Sequence, residues 1–240
     1  MKASSTFTVG IFLLGTTFGM MPPSADVEFE LLAKQYVDEF PALSPVSATL
    51  LGDHRFDDEL DQISEGARAQ KETFLRKYLK KLNNLERNKL SRANQVDAAL
   101  LEHGLRADLW QLEELEEWAW NPIRYTRLTG SALYGLLARD FAPLPERMRN
   151  VADRLEQFPR ILEQIQITLI PSRVPRIHAE TAVKQNRGVL SILDDMIKPH
   201  LGELPQKDQK RLKEVMEVAR SALGFYQEWL EEDLLPKATG

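Results

Sequence analysis

Apolar residues that recur every three or four positions constrain the fold of this chain more than any other feature. Leu32, Tyr36 and Phe40 stand four apart, Leu75, Tyr78, Leu79 and Leu82 form a second stripe, and Leu105, Leu109, Leu112 and Leu115 a third. That spacing stacks side chains on one face of an α-helix, and no stretch shows the convincing alternation of period two that a half-buried strand needs. Start signals agree: Ser44 before Pro45, Ser64 and Ser91 ahead of long charged-and-apolar runs, Ser131 after Gly130, and Pro145 followed by Glu146. Gly52, Pro122, the Pro171 to Pro175 segment and Gly202 through Pro205 read as stops. Pro159 falls inside an otherwise helical run from Glu146 to Ile170, so a kink or break is expected there. The sequence therefore predicts an all-α fold, one multi-helical domain of about eight mostly antiparallel helices, because short connections force neighbours to reverse direction.

A chain of 240 residues that is 43% hydrophobic can bury a sizeable core, roughly 70% of its extended-chain surface, without metal or disulfide staples. It has no cysteine, which removes thiol nucleophiles, thiolate zinc sites and iron–sulfur clusters and leaves His, Asp and Glu as the available metal ligands. The net charge of −5, from 31 basic and 36 acidic residues, argues against a large phosphate-binding surface, so nucleic acid is not an expected partner. Residues 1–25 read as a secretory signal peptide: Lys2, an uncharged stretch from Phe7 to Met21, then Pro22, Pro23, Ser24 and Ala25. The uncharged stretch is broken by Gly10, Gly15, Thr16 and Thr17 and is shorter than the roughly 20 apolar residues that span a bilayer. Cleavage after Ala25 is the expectation, although Pro23 at the −3 position is not the small residue that cleavage sites prefer. The mature domain is then 26–240, exported to the periplasm or the extracellular space, with an uncleaved membrane anchor as the alternative. An exported chain without cysteine points to a bacterial envelope, and no thiol is present for lipid attachment.

The chemistry-bearing motifs are sparse. A helical zinc peptidase needs two histidines four apart with a glutamate beside the first, and none of His54, His103, His178 and His200 has such a partner. His178 and Glu180, two apart, fall on different helix faces. There is no nucleophile elbow, phosphate loop or dinucleotide fingerprint. The densest polar constellation runs from Gly52 to Asp61. One reading is a loop that presents His54 with Asp57 or Asp58 as an acid/base pair or a cation site. The other is an acidic inter-helix loop in which Arg55 pairs with an aspartate. Likewise Trp110, Trp118, Trp120, Tyr125 and Tyr134 form either an aromatic ligand cleft or a packed helix junction. Lys77, Lys80 and Lys81, and Glu113, Glu114, Glu116 and Glu117, read as solvated helix faces.

The pattern Pro45-x-x-Ala48-Thr49-x-x-Gly52-x-His54-Arg55-Phe56-Asp57-x-x-Leu60-x-x-x-Ser64 resembles the opening motif of the bacterial family called domain of unknown function 885. Trp120-Asn121-Pro122 with Tyr125, Arg139-Asp140-Phe141-Ala142-Pro143 with Arg147, Arg154-Leu155 with Pro159, and Trp229-Leu230 through Leu234-Leu235-Pro236 and Gly240 are similar to successive family segments. The order of these motifs, over nearly the whole mature chain, tells more than any one of them. The resemblance implies a helical protein more than twice this length, of a group regarded as zinc-dependent peptidases of the thermolysin-like type. Their His-Glu-x-x-His motif and third glutamate lie in a carboxyl-terminal half that has no counterpart in these 240 residues. It follows that no catalytic or metal-binding residue is carried over, and zinc is expected only where that other half is present. As cleft or family-motif residues the resemblance, with the loop composition, nominates Gly52, His54, Arg55, Asp57, Asp58, Asn121, Pro122, Tyr125, Arg139 and Asp140.

Three functions fit these features. The chain is the non-catalytic helical portion of an exported peptidase-like protein, with peptide substrate handled only in the full-length form. Alternatively it is a complete helical binding or interaction module without enzymatic activity. Or it is a metal-independent hydrolase that uses His54 with Asp57 or Asp58. Under the first, a missing half leaves an apolar face that drives self-association. The expected contributors are Leu223, Tyr226, Trp229, Leu230 and Leu234 of the final helix and the junction around Trp118, Trp120 and Tyr125.

Overall fold

The structure, a computed structural model, describes residues 24–240, and the expected leader lies outside the described residues except for Ser24 and Ala25. Ten α-helices follow: α1 (Ala25–Glu39), α2 (Pro45–Leu51), α3 (Glu65–Asn83), α4 (Arg92–Trp110), α5 (Glu117–Trp120), α6 (Pro122–Leu137), α7 (Leu144–Glu156), α8 (Phe158–Thr168), α9 (Arg176–Ile192) and α10 (Gln206–Trp229). The all-α class is as the periodicity implies. The count exceeds eight because α2 and the four-residue α5 are too short to show a stripe of their own. Among the described residues the sole β-type pairing is an isolated bridge between Pro175 and Thr239. No helix of the described residues is long and apolar enough to cross a membrane.

Serines and prolines act where their chemistry places them. The Ser64 hydroxyl accepts from the Ala67 amide at 3.1 Å and Ser91 from the Asn94 amide at 3.4 Å, each satisfying an amide that the first helical turn leaves unpaired. Ser24 caps α1 in the same way, through the Val27 amide at 3.4 Å, so cleavage after Ala25 would remove that cap. Pro159 marks a full break: α7 ends at Glu156 and α8 starts at Phe158, with the proline in its first turn, where a missing amide hydrogen costs nothing. Ser131 is not a start. It lies inside α6, which runs without interruption from Pro122 to Leu137, and Gly130 faces Val189 of α9, where an added Cβ would sit 3.6 Å away. The small residues there serve helix packing rather than a boundary.

Two apolar cores form. The first joins α1, α3 and α4 through Leu32, Leu75, Tyr78, Leu82 and Leu105, with Tyr36 against Phe40, Phe74 and Tyr78 at ring separations of 5.3 to 5.8 Å. The second packs α6 along α9 and α10 across α7 and α8, around Leu133, Leu136, Val151, Leu155, Phe158, Ile161, Leu223 and Tyr226. In this second core Leu223, Tyr226, Leu230 and Leu234 are each fully buried and Trp229 packs partly against it. Four of the five residues expected to form an exposed apolar face of the final helix thus point into the core, because α10 lies against α7, α8 and α9 and needs apolar side chains on several faces. Tyr125 is buried too, whereas Trp110 and Tyr134 are more than half exposed. Exposed large apolar residues instead are spread over α1, α2, α4, α6, α8, α9 and α10.

Gly52 ends α2 with φ of 90°, its amide donating to the Thr49 carbonyl at 3.1 Å. An added Cβ meets nothing within 4 Å, so the position tests backbone strain alone. Gly52→Ala is expected to lower unfolding free energy by about 1 kcal/mol, measured by denaturant titration.

Candidate functional site

The loop between α2 and α3 is held by one buried side chain. Arg154, on α7, is fully buried. Its Nε donates to the Glu59 carbonyl at 3.0 Å, one terminal nitrogen to the Ala132 carbonyl at 2.7 Å, and the other to the Thr49 hydroxyl at 2.7 Å and the Phe56 carbonyl at 3.4 Å. Burial pulls its pKa down to about 10, partly offset by Asp57, Asp61 and Asp58, so it remains charged at neutral pH. Thr49 passes the network on: its hydroxyl donates to Asp57 Oδ1 at 2.6 Å. Asp57 Oδ2 in turn holds His54 Nδ1 at 2.9 Å.

The motif residues nominated from sequence fall into two places. His54, Asp57, Arg139 and Asp140 come together, because the His54 ring stacks on Phe141 with centroids 3.7 Å apart and 11° between planes. Arg139 donates to the Leu50 carbonyl at 2.9 Å, and the buried Arg147 binds Asp140 at 2.7 Å as well as the Leu136 and Ala142 carbonyls. Asp57 is 3% exposed and the His54 side chain 32%. A carboxylate on Nδ1 orients an imidazole so that Nε2 can exchange protons, and the Thr49 hydroxyl gives its one proton to Asp57 rather than to His54. Arg55 pairs with Asp53 at 2.6 Å and faces solvent, as the acidic-loop reading has it. Asp58 is exposed, and its carbonyl accepts from Gln157 at 2.9 Å.

Asn121, Pro122 and Tyr125 belong elsewhere, at the start of α6. Asn121 caps that helix by accepting from the Ile123 amide at 3.1 Å, Pro122 occupies its first turn, and the Tyr125 hydroxyl donates to the Trp118 carbonyl at 2.6 Å. Upstream, α4 ends in a π turn over Gln111–Leu115. Its orphan carbonyls are satisfied by indoles: Trp118 Nε1 donates to Leu112 at 3.0 Å and Trp120 Nε1 to Leu115 at 2.8 Å. This fixes Trp118 and Tyr125 at the edge of a cavity of about 170 Å³ between the two cores. The second half of the α2–α3 loop, Glu59 to Ser64, forms its other wall. One Asp61 oxygen accepts from the Val46 amide at 3.1 Å. Burial raises the Asp61 carboxyl above the ordinary carboxylate range, against the opposing pull of that bond and of Arg154 and Arg124.

Arg154 holds the loop and Asp61 lines the cavity, and neither is among the site residues nominated from sequence. Arg154 had a legible signal: it lies seven residues after Arg147, with Met148, Val151 and Leu155 on the same stripe, so two arginines occupy core-facing positions of α7. Asp61 had none beyond its place in an acidic loop. Among the described residues, no group of three or more His, Asp or Glu side chains is placed to hold a metal ion.

Over residues 45–240 the chain matches the family described as bacterial protein of unknown function (DUF885). No curated protein matches it. Among solved structures it is similar to a candidate lipoprotein of unknown function from Shewanella oneidensis, with a TM-score of 0.80 and 24% identity, over 86% of this chain and 37% of that one. The likeness is one of fold, and this chain spans well under half the length of that protein.

Removing the Arg154 head group strands three carbonyls and a hydroxyl, so Arg154→Met is expected to cost about 3 kcal/mol or more in denaturant unfolding. Asp61 behaves oppositely. A carboxyl whose folded pKa is raised binds its proton more tightly folded than unfolded, so it costs stability above that pKa and the cost fades as pH falls through it. Asp61→Asn keeps an acceptor for Val46. It is therefore expected to raise the melting temperature at pH 7, with the gain vanishing as the pH nears the carboxylate range.

Proposed function

Because the chain belongs to the bacterial DUF885 family, we propose that it is the non-catalytic helical portion of an exported zinc-dependent peptidase-like protein, a wall against which a separate catalytic half packs. The observation that carries this reading is one of proportion: the fold here corresponds to 37% of a much longer chain. The residues present do not fit a zinc ion. His54 is committed to Asp57 and His200 to Glu203 at 2.7 Å, while His178 stacks on Trp120 with ring centroids 5.6 Å apart. No chemical step is therefore assigned to this chain, and zinc and bond cleavage belong to the other half.

A second reading has its own observation. The final helix places Leu223, Tyr226, Leu230 and Leu234 in the second core, which favours a helical binding or interaction module without enzymatic activity.

The genomic sequence beyond codon 240 separates the two. The first reading expects a continuing frame, or an adjacent gene, that encodes His-Glu-x-x-His; a stop with no such neighbour favours the second. Both expect the purified chain to hold near-zero zinc after dialysis and to cleave no peptide, because tight binding needs about three or four placed ligands. One zinc per chain that is lost in His178→Ala would contradict both. Export is tested by intact mass from a secreting host, where a product lacking the first 25 residues is expected.

A further inference from the structure

The cavity between the two cores is lined by an arginine and an aspartate that make no direct ion pair among the described residues, although Arg154 and Arg124 lie near enough to the aspartate to favour its charge. Lys71 pairs with Asp108 at 3.4 Å and Arg124 reaches Glu117 at 3.5 Å, so those cations are occupied, and Glu59 faces solvent. Arg68 differs. Its guanidinium lies 4.0 Å above the Trp118 ring, and among the described residues it joins no ion pair and donates no hydrogen bond. A guanidinium held over an indole keeps its donors free for a carboxylate. Asp61 lines the same cavity. It accepts the Val46 amide and makes no direct ion pair among the described residues, although burial opposes its charge.

We propose that this cavity binds a small zwitterion, a free amino acid or a dipeptide, with the ligand carboxylate on Arg68 and its ammonium on Asp61. Size agrees: a water needs roughly 10–15 Å³ of such volume, and about 170 Å³ leaves room for a molecule with an apolar body. Leu43, Leu112 and Tyr125 line the same cavity and suit an aliphatic side chain. A ligand with one charge leaves either Arg68 or Asp61 unmatched in a partly dehydrated site, and unmatched buried charge is what discriminates most strongly. Asp61 then has a reason to be there: it costs stability in the free protein and is matched in the complex. The inference is independent of whether the chain is part of a peptidase.

Four probes decide it by calorimetric titration of the purified chain: L-leucine, glycyl-leucine, isoamylamine and 4-methylpentanoate. L-leucine or glycyl-leucine is expected to bind saturably, with the amine and the acid each at least about tenfold weaker. The tighter of the two zwitterions identifies the source. Arg68→Gln and Asp61→Asn should each weaken it by at least about tenfold, while melting temperature holds for the first and rises for the second. Quenching of intrinsic fluorescence on binding should be lost in Trp118→Phe. Absence of binding by either zwitterion up to about 10 mM overturns the proposal, as does equal binding of the singly charged analogues or an unchanged affinity in both charge variants.

Discussion

A single buried guanidinium sets the geometry on which the α2–α3 connection depends. Burying a charge is unfavourable unless its hydrogen-bonding capacity is met, and Arg154 meets its own with carbonyls from Ala132, Phe56 and Glu59 and with the Thr49 hydroxyl. Three of those groups belong to α2 or to the loop after it. A stretch of residues 52–64 that lacks regular structure is thereby fixed to α6 and α7. One end of the loop puts His54 on Phe141, and the other puts Asp61 at the wall of the cavity.

The same arrangement separates two sites that a reading of the loop as one acidic cluster would merge. His54 and Asp57 lie toward the α6–α7 connection, sealed on one side by an aromatic ring and linked back to Arg154 through Thr49. Asp61, four residues further, lines with Arg68 and Trp118 the cavity at the junction of the two cores. The first is an imidazole oriented by a buried carboxylate. The second is a concave, mixed-polarity space whose charges are incompletely paired, the more usual makings of a ligand site.

Much of the fold is legible from residues alone because local physics decides it. The stripe Leu75, Tyr78, Leu79 and Leu82 is buried throughout, the serine caps at 64 and 91 act through their hydroxyls, and Pro159 breaks the chain where an interior proline must. Failures arise where tertiary contact overrides local signal. Ser131 resembles a start only until α9 is seen against Gly130, and the apolar surplus of α10 resembles an exposed face only until α7, α8 and α9 are seen around it. At the candidate site the motif residues Gly52, Arg55 and Asn121 end, brace or cap elements, whereas Arg154 reaches Thr49, Phe56 and Glu59 across 95 to 105 residues of sequence, a separation that no local pattern encodes.

Amide hydrogen exchange in an Arg154→Lys variant tests the dependence of the loop on this residue most directly. Lysine keeps the charge but offers a compact ammonium in place of the planar fork that reaches four acceptors. The account predicts that the amides of Val46, Leu60 and Ile63, whose acceptors lie on Asp61, Gln157 and Gln164, lose protection while those of α3 and α4 keep theirs. Unchanged protection of the loop amides in a folded Arg154→Lys protein would contradict it.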